Sequence, residues 1–95
     1  MSSVDGVRAE RMVTIVNQRG LHARAAAKFV NLVGEFSAAV DVTKDGETVS
    51  GRSIMGLMML AASTGCSIHI STHGADADEA LTAIVRLIEG KFDED

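Results

Sequence analysis

Proline, tryptophan and tyrosine are absent from this 95-residue chain, and cysteine occurs once. Without proline, a linker or an internal repeat, nothing divides the chain into parts. The single Cys66 cannot close an internal disulfide and has no second cysteine with which to form a metal-type pair. Three phenylalanines are the only aromatic residues, so stacking on exposed bases has little to work with. Positive charge is in deficit. The net charge of -4 argues against a nucleic acid or an anionic membrane as partner. No apolar run approaches the ~20 residues needed to span a bilayer, so no membrane insertion is expected. The N-terminus lacks the apolar stretch of a signal peptide. Together these absences predict a cytoplasmic protein.

What is present suits one compact domain with an aliphatic core. Apolar residues make up 46% and charged residues 23%, ordinary values for a globular fold. Residues 1–11 are polar and without period, and predict a loose N-terminal extension. Met12 to Asn17 is short and β-branched, which suits a strand. A helix is expected from Ala23 to Gly34, where Ala26, Phe29, Val30 and Val33 share one face. Ala38, Val40 and Val42 alternate with Ala39, Asp41 and Thr43 as in a half-buried strand. Asp45-Gly46 then signals a hairpin, because both positions of that turn favour positive φ, and Glu47 to Gly51 returns. Ser53 can cap a short helix from Ile54 to Ala62, with Gly65 as its stop. Cys66 to His73 alternates again. Asp76 and Glu79 have the spacing of a capping box, ahead of an apolar stripe through Ala77, Ala80, Leu81, Ile84, Leu87 and Ile88. The order βαββαβα, with strands that each show one polar face, predicts an α+β fold. Its sheet would be antiparallel, with the helices packed on one side.

The chemistry concentrates at Gly20-Leu21-His22-Ala23-Arg24. His22 falls where a loop becomes a helix, and the first N–H groups of a helix have no intrahelical partner. They form an anion site backed by the helix dipole. A neutral imidazole is a good nucleophile near pH 7. Placed there it could take a phosphoryl group whose oxygens are held by backbone donors and by Arg24. On spacing alone, a lone histidine at a helix start is more often a cap, and an arginine beside it a solvated charge.

Gly20-Leu21-His22-Ala23-Arg24 resembles the active-site motif of HPr, the histidine-containing phosphocarrier family of the bacterial phosphoenolpyruvate-dependent phosphotransferase system. Ser53-Ile54-Met55-Gly56-Leu57-Met58 resembles that family's regulatory serine motif, and the two blocks are similarly spaced. The resemblance covers about Met12 to Phe92. It implies an open-faced β-sandwich of four antiparallel strands and three helices over residues 12–92. From the residues themselves, the end of the chain, Phe92 to Asp95, is expected to fray, with 93–95 a solvated acidic tail. The resemblance implies that His22 accepts a phosphoryl group on Nδ1 and that Arg24 steadies it. Ser53 would be the serine that a kinase modifies in some members, and Ile54, Met55 and Met58 part of an apolar docking surface. Enzyme I would be the donor and a IIA-type protein the acceptor. An HPr serine kinase/phosphorylase would be a third partner where the cell has one. The implied protein is a monomeric carrier without cofactor or metal, not an enzyme. The family's motif usually has proline where Ala25 stands. Non-proline versions look more like the nitrogen-related regulatory branch, so control of downstream proteins is at least as good a use as sugar transport.

Two readings stay open for several residues. Ser53 needs no role beyond capping. Methionines on a short helix are usually core, although Met55, Met58 and Met59 cannot easily all face inward. His69 and His73 share a strand face about 13 Å apart at ~3.3 Å per residue, too far for one metal, which leaves solvated histidines. Cys66 is expected to be a small buried residue. The rival to the relay is a binding-only regulatory module, in which His22 would be dispensable.

Overall fold

The structure, a computed structural model, describes residues 7–94. Four strands run β1 Arg8–Thr14, β2 Ala39–Lys44, β3 Glu47–Ser50 and β4 Ser67–His73. Three helices run α1 Ala23–Val33, α2 Ile54–Met59 and α3 Ala77–Glu89, and a 3-10 turn follows at Lys91–Asp93. The sheet has the order β1-β4-β2-β3, and every neighbouring pair is antiparallel. The fold class is the open-faced α+β sandwich expected from the element order.

Alternation sets the two faces of the sheet. Val13, Ile68, Ile70, Val40 and Val42 are buried toward the helices. Met12 and Thr14 on β1 and Ser67 on β4 stand on the uncovered face and are exposed. From the helices, Phe29 and Val33 of α1, Leu57 of α2, and Ile84 and Ile88 of α3 fill the same core with no exposed area. Each such large apolar side chain contributes roughly 1.5–3 kcal/mol relative to leaving it in water. The hairpin between β2 and β3 turns at Asp45 and Gly46, both at positive φ (50° and 83°), as Asp-Gly predicts.

β1 begins earlier than its hydrophobicity suggests. Arg8, Ala9, Glu10 and Arg11 belong to the strand, paired with His73, Thr72, Ser71 and Ile70, so residues 8–11 are not a loose extension. They are mostly exposed on an edge strand, where the backbone ladder rather than side-chain burial fixes them. Residues 1–6 of the expected extension lie outside the described residues. The second correction concerns α2, which ends at Met59 rather than Ala62. Ala61 takes a positive φ of 53°, which stops the helix before Gly65.

Asp76 is the N-cap of α3 but does not close the expected capping box. Its side chain makes no bond to its own helix. Its carboxylate accepts the N–H of Ser37 at 2.9 Å and of Ala38 at 2.8 Å, pinning the entry to β2. These backbone donors, Ser37 first, hold the Asp76 carboxyl below its ordinary range. Asp76→Ala leaves both amides without that acceptor and is expected to lower the urea midpoint at neutral pH. A carboxyl whose folded pKa is depressed stabilises above its unfolded pKa and loses that contribution as pH falls through the folded one. The gap between wild type and variant should therefore be full above the ordinary carboxylate range and narrow as pH falls through and below it.

Candidate functional site

The loop from β1 to α1 is shaped before any side chain acts. Gly20 has φ 68°, and a Cβ there would lie 2.5 Å from the Ala62 carbonyl oxygen and 2.9 Å from Ser63 Cα. Only glycine fits, since a side chain would meet backbone and also pay the left-handed penalty. Leu21 then donates its N–H to Ala62 O at 2.9 Å and buries its side chain. The loop is thereby tied to the segment that leaves α2, and His22 arrives at the N-cap of α1 in extended backbone (φ -75°, ψ 179°).

His22 is not a side-chain cap, for its imidazole makes no bond to the helix. The first intrahelical bond is from Ala26 N to His22 O at 2.8 Å. The N–H groups of Ala23, Arg24 and Ala25 thus have no intrahelical acceptor, the arrangement that favours an anion. Ala25, where the family's proline usually stands, is fully buried in the core and keeps its N–H. Arg24 is exposed and borders an open depression beside His22. Arg19 and Lys28 border it as well, so its rim carries three cations. Arg24 and Lys28 are four residues apart on α1 and share one face.

The acidic side of the depression is the chain's end. Of the expected frayed tail, Asp93 and Glu94 are instead folded against the site. Phe92 is fully buried in the main core. Lys28 Nζ donates to Phe92 O at 2.7 Å. Glu94 then reaches His22, whose Nε2–H donates to Glu94 Oε2. The other carboxylate oxygen, Oε1, accepts from Asn17 Nδ2 at 3.1 Å, and the same amide donates to Gly20 O at 2.8 Å. The His22 bond, followed by the Asn17 amide, holds the Glu94 carboxyl below its ordinary range. Asp95 lies outside the described residues.

Asn17, Lys28 and Glu94 were not singled out from the sequence. Lys28 carried a signal, its four-residue spacing from Arg24. Asn17 ends an apolar run just before a turn, a position where an amide can bond to nearby backbone. Glu94 carried none, because an acidic end with no period looks like any solvated tail.

The second predicted block is also in place. Ser53 caps α2, its hydroxyl accepting the N–H of Gly56 at 2.9 Å. Helices α1 and α2 pack against each other. On the outside of α2, Ile54, Met55, Met58 and Met59 are 41%, 70%, 40% and 68% exposed, while Leu57 alone is buried. A short helix with one inward residue cannot hide three methionines, and Met55 and Met58 are exposed rather than core.

Elsewhere, His69 Nε2 pairs with Glu10 Oε1 at 2.7 Å. Among the described residues no cluster of His, Cys, Asp or Glu could hold a metal. Cys66 is half-exposed rather than buried, and the Ser63 hydroxyl beside it draws its thiol below the ordinary range. No helix of the described residues is long and apolar enough to cross a membrane.

Comparison with known proteins agrees with this geometry. The family described as PTS HPr component phosphorylation site matches residues 9–90. The chain is 52% identical over 83 residues to a phosphocarrier protein HPr of Pseudomonas aeruginosa, covering 86% of this chain and 92% of that one. It is 46% identical over 85 residues to a phosphocarrier protein NPr of Shewanella violacea, covering 90% and 93%. Among solved structures, HPr-C-His from Thermoanaerobacter tengcongensis superposes with a TM-score of 0.88 at 45% identity, over 92% of this chain and 98% of that one.

Proposed function

Since the chain belongs to the HPr family of phosphotransferase-system phosphocarriers, we propose that His22 accepts a phosphoryl group on Nδ1 from phosphorylated enzyme I and passes it to a IIA-type protein. The observation that carries this is the state of the ring. Nε2 is engaged by Glu94, which leaves Nδ1 as the nitrogen with the free lone pair. The unpaired N–H groups at the start of α1 and the Arg24 guanidinium supply donors for the phosphoryl oxygens, and their charge is strongest for a group that arrives as an anion. The protein is a relay. It gains the group in one complex and loses it in another, so each complex must be transient and the same surface serves both.

Ile54, Met55 and Met58 suit that alternation. Flexible, polarisable side chains repack against different partners. Ser53 lies at the edge of this surface. A phosphate added there by an HPr serine kinase/phosphorylase would sit at the N-terminus of α2 without breaking the fold. It would place charge where a partner must desolvate, and so weaken docking. With Ala25 in place of the usual proline, a regulatory output is at least as good a use as sugar uptake. The carrier acts as a monomer in the cytoplasm.

The test is transfer from labelled phosphoenolpyruvate through purified cognate enzyme I into the intact chain. Trypsin cleaves after Arg19 and Arg24, so His22 is released in the peptide Gly20–Arg24. Acid-labile label in that peptide is the expected result. A folded protein that stays unlabelled, or label in another peptide, sinks the proposal and leaves a binding-only module.

A further inference from the structure

The assignment of Glu94 rests on the relay reading above and extends it. We infer that Glu94 is a positioning residue for phosphoryl transfer, holding the Nε2 proton of His22 so that Nδ1 presents its lone pair.

The carboxylate is placed by structure around it rather than by chance proximity. Phe92 is buried two residues before it, Lys28 Nζ binds the Phe92 carbonyl, and Asn17 binds one carboxylate oxygen. Through its second bond to Gly20 O, Asn17 links this carboxylate to the same loop that delivers His22. One carboxylate oxygen goes to the amide and the other to the imidazole. The side chains of His22 and Glu94 are only 17% and 19% exposed, so their interaction is less screened than that of a surface pair. A histidine's second nitrogen is the usual handle by which a neighbour fixes its tautomer.

The charge balance of the step gives the carboxylate a second effect. The Nδ1 lone pair forms the new N–P bond while the bond from phosphorus to the donor breaks, and the donor keeps that electron pair. The His22 ring retains its Nε2 proton and so becomes a phosphoimidazolium with one positive charge. Glu94 faces that charge as it develops. On the outward transfer the ring departs as neutral imidazole with the N–P electron pair, and the same bond holds it in the starting tautomer. Glu94 contacts the ring at Nε2, opposite the edge that takes the group, so attraction to the ring outweighs repulsion of the incoming phosphoryl oxygens.

The experiment compares Glu94→Ala and Glu94→Gln with wild type in the full chain. Initial rates of label transfer from phosphoenolpyruvate through enzyme I are measured together with 15N spectra of the neutral His22 ring. In wild type the ring should be held as the Nε2–H tautomer. Glu94→Ala should give a tautomer mixture and slow transfer about tenfold, with the KM for enzyme I unchanged. Glu94→Gln retains an acceptor without charge and should fall between the two. Wild-type rate and wild-type tautomer in Glu94→Ala overturn the role of Glu94 while leaving the relay intact. Faster transfer in that variant overturns it too, since the tail would then be a block. A wild-type protein that takes no label at all removes the relay and this role together.

Discussion

Replacing His22 with alanine is expected to reduce phosphoryl acceptance by at least about a thousandfold, to the background of the assay. The size of the effect follows from what else borders the depression. Arg19, Arg24 and Lys28 are cations without a lone pair to offer at neutral pH, and Lys28 is already bound to Phe92 O. Asp93 and Glu94 are carboxylates, and Glu94 is engaged by His22 and Asn17. Among the described residues, Asp93 is the one carboxylate left over, and no other imidazole, hydroxyl or thiol borders the depression. The fold should be untouched, because the imidazole makes no cap bond and the loop is set by Gly20 and by the Leu21 backbone. The measurement is label incorporation alongside far-UV circular dichroism. Label retained in a folded His22→Ala protein would move the chemistry elsewhere in the chain.

The motif that makes this prediction possible was legible without coordinates, and so was most of the architecture. Period-2 alternation in β2 and β4 and the apolar face of α1 are local signals with a direct steric meaning. Asp45-Gly46 and Ser53 act on backbone within three residues, which is why both were found. What was missed depends on partners far away in sequence. Arg8–Arg11 look like an extension until β4 supplies their hydrogen bonds. Asp76 has the spacing of a local cap, yet its carboxylate is taken by amides 38 and 39 residues earlier, at Ala38 and Ser37. Glu94 meets His22 across 72 residues. No periodicity records such a meeting, because it is decided by one buried phenylalanine two residues before Glu94.

That phenylalanine carries the other large effect. Phe92→Ala is expected to cost about 3–5 kcal/mol of stability, the usual range for deleting a fully buried ring, and to lower Tm by roughly 15–25 °C in a chain of this size. The ring has no exposed area and packs in the main core. It also holds an unfavourable backbone. Lys91, Phe92 and Asp93 take φ of 60°, 54° and 61°, left-handed values that cost non-glycine residues about 1–3 kcal/mol each. Burial of the ring, with the Lys28 bond to the Phe92 carbonyl, helps to hold the turn against that cost. Without it the turn should relax, the bond from Lys28 to the Phe92 carbonyl should open, and Glu94 should leave His22. Phe92→Ala should therefore reproduce the His22 tautomer mixture of Glu94→Ala, read below its own unfolding transition, although Glu94 is still present. Phe92→Leu keeps most of the apolar volume and should retain both the turn and the wild-type tautomer. If Phe92→Ala instead melts like wild type, the tail is not docked in solution. If it is destabilised but keeps the wild-type tautomer, Glu94 reaches the imidazole without its anchor, and the coupling from core to site is broken at that link.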